Sequence, residues 1–214
     1  EEGTLHTDAG GAWAYDGGDL SVPPSVRELI EGRLQRLARE AHHVFDTIAL
    51  IGQDFDFALL QRITEINEMS LLDTLDDLIA LGLVIEPRAQ GRSEFAPAHG
   101  LYTEVAQATL PSVRARRLHG RIGDALRTLY PYDATRSARL AHHYHQADRL
   151  TEAVPAAVRA GELALDQYGV HQAQAHFEDA ALWAKDATWT PPPPLLVRLH
   201  AGWAEALRRG GQPE

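Results

Sequence analysis

A chain of 214 residues, 44% hydrophobic and 23% charged, has enough apolar side chains for one large core or two small ones. Its formal net charge of −10 disfavours non-specific contact with nucleic-acid phosphates, which need Lys and Arg. It lacks cysteine, which excludes disulfides and thiolate chemistry, and it lacks an apolar run of the length a membrane-spanning helix needs. The segment after Glu1 has neither the basic start nor the apolar stretch of a secretory signal, so a cytoplasmic setting is expected. A first residue other than Met raises the expectation of a fragment of a longer polypeptide.

In chain order, Thr4 to Thr7 and Ala12 to Tyr15 flank a Gly-rich turn at Asp8 to Gly11, the pattern of a small β-hairpin. Ser25 follows two prolines and precedes Glu28 by three residues, which predicts an N-cap and capping box for a helix over 25–37. Helical spacing predicts further helices at 40–51, 57–63 and 70–81, the first and last of these ended by Gly52 and Gly82. Leu83 to Glu86 and Glu94 to Ala96 read as a second hairpin, and three or four helices followed by a hairpin describe a winged helix. From His99 onward helices are predicted at 99–108, 112–129, 136–146, 151–168, 171–185 and 195–209. The tract from Trp189 to Pro194, with its four prolines, predicts a stiff non-helical spacer. Short turns between Ala-rich helices suggest a helical-repeat stack, and Tyr168 to Ala180 has the residue spacing of a tetratricopeptide helix pair. The expected fold is therefore mainly α. Residues 1–20 form a β-hairpin or linker, residues 21–110 a winged-helix domain, and residues 111–214 tetratricopeptide-like hairpins with the last repeat truncated.

The segments from Val22 to Leu34, Ile51 to Asp56, Phe95 to Glu104 and Arg116 to His119 together resemble signalling NTPases of the STAND class. More narrowly, the chain is similar to large bacterial regulators in which an NTPase module precedes a winged helix and tetratricopeptide repeats. Many of these are LuxR-like or antibiotic-regulatory transcriptional activators, and others carry cyclase domains. The resemblance implies that a histidine near the last strand of the winged helix contacts the β-phosphate of bound ADP. Plant immune receptors carry it as Met-His-Asp. The matching positions here are Ala98-His99-Gly100, so the histidine is kept and the acid is not. His99 is the one nucleotide-contacting residue expected in this chain. The ADP or ATP and the NTPase module itself are expected from the same, longer polypeptide.

Other constellations point to less. The only lysine, Lys185, has no glycine nearby, so the chain contains no P-loop. The helix that would enter DNA in a winged helix carries Asp73, Asp76 and Asp77, with no Lys or Arg between Arg62 and Arg88, which argues against nucleic acid contact. The basic run from Arg114 to Arg121 reads as a solvated helix face. His142, His143 and His145 could suggest a metal, since His142 and His145 share a helix face, but no carboxylate is placed as a third ligand and no His-Glu-x-x-His motif occurs, so no metal site is expected. No nucleophile elbow or paired catalytic carboxylates occur, and no independent enzymatic activity is expected. The expected function is regulatory. The winged helix closes on the nucleotide of the NTPase module, and the repeats receive an inducer or protein partner. A peptide-binding repeat scaffold with no nucleotide role and the regulatory arm of a nucleotide cyclase are the alternatives.

Overall fold

The computed structural model describes residues 5–7, 13–15, 24–52, 55–86, 94–186 and 189–211. Helix dominates these residues, and the few strands are short. β1 (Leu5–Thr7) and β2 (Trp13–Tyr15) pair antiparallel with Leu5 opposite Tyr15, giving the expected hairpin. The Gly-rich turn expected between them lies outside the described residues. α1 runs Pro24–Leu34, so Ser25 sits inside the first turn and is not the N-cap the sequence suggests. Proline suits that opening position because its missing N–H would have no helical partner there.

α2 (Arg39–Ile51) is the post of the N-terminal unit. Every residue from Val44 to Ile51 is buried, including Asp46 and Thr47, because helices pack around it on several sides. Gly52, at φ 86°, ends the helix with its N–H donating to the Ile48 carbonyl at 3.0 Å. β3 (Phe55–Asp56) leads into α3 (Phe57–Thr64), where Asp56 is the cap and accepts from the Leu59 N–H at 2.8 Å. Asn67 does the same for α4 (Glu68–Ala80), accepting from the Ser70 N–H at 3.0 Å. Gly82 then turns the chain at φ 64° into β4 (Val84–Ile85), and β5 is Glu94–Pro97.

These strands form one antiparallel sheet in the order β3-β5-β4, with Phe55 opposite Phe95 and Val84 opposite Pro97. The third strand, β3, adds to the two-stranded hairpin read from the sequence. Its anchor is a stacked pair of rings, Phe55 on Phe95, with centroids 5.8 Å apart. The resulting order is helix, helix, strand, helix, helix, strand, strand around a single hydrophobic core.

The remainder is helical: α5 (Gly100–Thr109), α6 (Ser112–Leu129), a 3-10 turn at Ala134–Arg136, α7 (Ser137–Gln146), α8 (Leu150–Asp166), α9 (Val170–Trp183) and α10 (Pro193–Gly210). From α6 on, each helix packs on the next, and α10 also reaches α8. Two readings are corrected here. The proline tract is non-helical only as far as Pro192, and Pro193 and Pro194 open α10, where a missing N–H is harmless. The segment from Tyr168 to Ala180 holds a turn and one helix, not a helix pair. Tyr168 is left-handed at φ 61°, Gly169 caps α9, and the rest is α9 itself. α6 joins the two halves. Leu118, Ile122 and Leu126 belong to the first core, while its other contacts are with α7. Among the described residues no helix is long and apolar enough to cross a membrane.

Candidate functional site

His99 occupies the junction between β5 and α5. Its backbone is still extended at φ −154° and ψ 138°, which makes it the N-cap of α5, and its side chain is exposed. The Nδ1 atom accepts from the Leu101 N–H at 3.2 Å. That bond has a chemical consequence. An imidazole that accepts at Nδ1 carries its proton on Nε2, so a cap of this kind presents an N–H donor away from the helix. The first turn of α5 adds backbone N–H groups and the positive end of the helix dipole. The residue that follows His99 is Gly100, which carries no side-chain charge.

The junction is held from two directions. Gln107 donates its amide to the Ala49 carbonyl at 2.6 Å, tying α5 to α2. On the other side, Arg33 donates to the Tyr102 hydroxyl at 2.8 Å and also to the Leu81 carbonyl, so α1 clasps α5 and the end of α4. Arg27 and Glu104 add a 3.6 Å ion pair between α1 and α5, exposed enough to contribute little. His99 therefore stands on a helix fixed to the core, with its ring outside.

A cleft of about 780 Å³ opens between α2 and α6 and is lined by Arg39, Glu40, His42, His43 and Arg114 among others. Several of its charged groups face one another. The buried Asp46 carboxylate has one oxygen 3.3 Å from both His42 Nδ1 and Arg114 Nη2. That oxygen has ion-pair neighbours but no well-directed hydrogen bond, and burial raises the Asp46 pKa despite the nearby cations. Arg114 also meets His43 Nδ1 at 3.0 Å, and burial, followed by Arg114, lowers the His43 pKa. Glu40 accepts from Ser70 at 2.5 Å. The cleft ties α2 to α4 and α6 through Glu40, Asp46 and Arg114. The basic run is largely exposed, as the sequence suggests, and Arg114, Arg116 and Arg121 pair there with Asp46, Asp148 and Glu65.

One grouping was missed by reading each helix separately. His142 and His145 part company: His145 stacks on Trp183 of α9 at 4.1 Å between ring centres, while His142 faces α6. There it joins His143 and His119, and one ring nitrogen from each of the three lies within 4.8 Å of the others. His119 and His143 are buried and their Nδ1 atoms approach to 2.9 Å. Burial is the main cause that brings the His119 pKa down to about 4 and that of His143 to about 2, so both rings are neutral at physiological pH. The third histidine comes from the preceding helix, and only the α6–α7 hairpin brings it into place. The helical spacing of His119 on a face that also carries Leu118 and Ile122 was the available signal.

The exposed face of α4 carries Asp73, Asp76 and Asp77, as the sequence suggests, so this helix presents carboxylates to solvent. Comparison with known proteins returns no match: no family model, no curated protein and no solved structure matches this chain.

Proposed function

We propose that residues 21–110 form a winged-helix unit and residues 111–214 a tetratricopeptide-like stack, together the regulatory part of a STAND-type signalling ATPase. In this reading the winged-helix unit closes on the nucleotide of an NTPase module in the same polypeptide. His99 donates from Nε2 to a phosphate oxygen of ADP and holds the closed, inactive state. The helical stack receives an inducer or protein partner and releases that closure, in a cytoplasmic transcriptional regulator.

The observation that carries the reading is the cap bond at His99. With Nδ1 accepting from Leu101, the exposed ring offers an N–H donor at the N-terminus of a helix, a combination suited to an anionic phosphate. The strand order β3-β5-β4, with β3 between α2 and α3 and the β4–β5 hairpin after α4, supports the winged-helix assignment. The exposed acidic face of α4 supports a role other than DNA binding for this unit.

Asn is a strong N-cap and lacks the imidazole, so His99→Asn separates capping from phosphate contact. In the full polypeptide, His99→Asn is expected to keep its melting temperature and to copurify with less ADP than the wild type. His99→Ala loses both the cap and the contact. Full ADP occupancy in folded His99→Asn protein would defeat the proposal.

A further inference from the structure

We propose that His119, His142 and His143 form a binding site for one divalent transition-metal ion of the zinc type, clasping α6 to α7. Three imidazole nitrogens from two adjacent helices converge within 4.8 Å of one another. Three neutral histidines with a fourth position left to water are a recurrent donor set for zinc, and imidazole also suits copper and nickel. Zinc–nitrogen bonds of about 2.0–2.1 Å in a tetrahedral site place neighbouring nitrogens about 3.3 Å apart. The His119 and His143 Nδ1 atoms are already at 2.9 Å. The remaining approach falls to His142, which is exposed and can swing inward while the two buried rings stay in place.

The buried pair is pre-set for the task. Without a metal, one ring donates Nδ1–H to the Nδ1 lone pair of the other, because two bare lone pairs at 2.9 Å would repel. For both Nδ1 atoms to coordinate a cation, the donor ring must change to its Nε2–H tautomer. The proton moves within that imidazole by way of solvent and none is released overall. Burial has already kept both rings from protonating, so an ion does not compete with a proton for them near neutral pH. Arg139, on the same helix as His143, adds an opposing positive charge and moderates the affinity.

The placement suggests what the ion does. α6 contributes Leu118, Ile122 and Leu126 to the first core, while α7 begins the helical stack. An ion shared by His119 of α6 and the two histidines of α7 fixes the hairpin that joins the two regions.

The test is titration of the chelator-stripped 214-residue chain with zinc chloride by calorimetry, and with Cu(II) by electron paramagnetic resonance. One ion per chain is expected, with nitrogen hyperfine structure in the Cu(II) spectrum and a rise in melting temperature on adding zinc. His142→Ala removes an exposed ligand, so the metal-free protein should melt as the wild type does. Its affinity should fall by at least about tenfold, since even outer-shell partners of a metal are worth about 10–100-fold. His200→Ala, at an exposed histidine of α10, should bind like the wild type. Absence of zinc binding by the wild type would overturn the proposal. So would binding that His142→Ala leaves unchanged, or binding that His200→Ala weakens equally.

Discussion

The two halves of the molecule solve the packing problem with different materials. The N-terminal core is built from large aliphatic and aromatic side chains, among them Val44, Phe45, Ile48, Leu59, Leu60, Ile63, Leu71, Leu75 and Leu78, all nearly or fully buried. The C-terminal core is mostly alanine, with Phe177 as its one fully buried ring. That ring lies between two helices that approach it through glycine. A Cβ on Gly161 of α8 would come within 2.8 Å of the ring, and one on Gly202 of α10 within 2.4 Å. The first core is thick, with many large side chains sharing the burial. The second is thin, and small residues let the backbones close around Phe177. Side-chain volume holds the sheet and His99 in place in one half, and backbone proximity sets the helix stack in the other.

This contrast predicts where each half breaks. Phe177→Ala should have the largest effect, about 3–5 kcal/mol, because glycines on both sides offer no side chain to refill the space. A denaturant midpoint little changed from wild type would contradict the thin-core description. Leu59→Ala in the thick core should cost about 2–5 kcal/mol, toward the lower part of that range if its many large neighbours relax into the gap.

Glycine-to-alanine exchanges sharpen the contrast, because they should change sign between the halves. Gly202→Ala drives a methyl into the Phe177 ring and should destabilise by about 1–3 kcal/mol. Gly32→Ala, in α1, meets nothing within 4 Å and should stabilise by about 0.5–1 kcal/mol through helix propensity. Thermal melts of the two variants read this directly, and shifts of the same sign would refute it.

The smallest effect belongs to the ion pair between Glu162 of α8 and Arg198 of α10, whose Nη2–Oε2 distance is 2.7 Å. Hydrogen bonding from Arg198 is the main cause that lowers the Glu162 pKa below its usual value. A depressed carboxylate pKa gives stability that is present above the unfolded pKa, near 4.5, and is lost as pH falls through the folded value. Partial exposure of both partners keeps this below about 1 kcal/mol. Glu162→Gln should therefore melt slightly lower than the wild type at pH 7, and the difference should close in acid.

The sequence makes some of this visible and hides the rest for physical reasons. α6 begins and ends where its apolar spacing predicts, at Ser112 and Leu129, because a long amphipathic helix repeats its signal many times. β3 is two residues long and has no alternation to read. Its partner Phe95 is distant in the chain, so only the folded sheet shows that Phe55 is a strand residue. The start of α1 and the opening of α10 differ from expectation for one reason. Proline ends helices in the interior but is welcome in the first turn, and spacing alone does not say which case applies. His99 is legible as a residue at a strand-to-helix junction, yet the tautomer set by its cap bond needs coordinates. The histidine triad is legible only after α6 and α7 are folded against each other, since no local motif links His119 to His142 and His143.

The most direct test of the proposed nucleotide-sensing role is the dissociation rate of fluorescently labelled ADP from the proposed longer polypeptide, compared between wild type and His99→Asn. Loss of one hydrogen bond to a charged phosphate, worth about 1.5–3 kcal/mol, predicts release faster by roughly 10- to 100-fold from an otherwise intact fold. Equal release rates from two equally stable proteins would contradict the account and leave His99 as a helix cap alone.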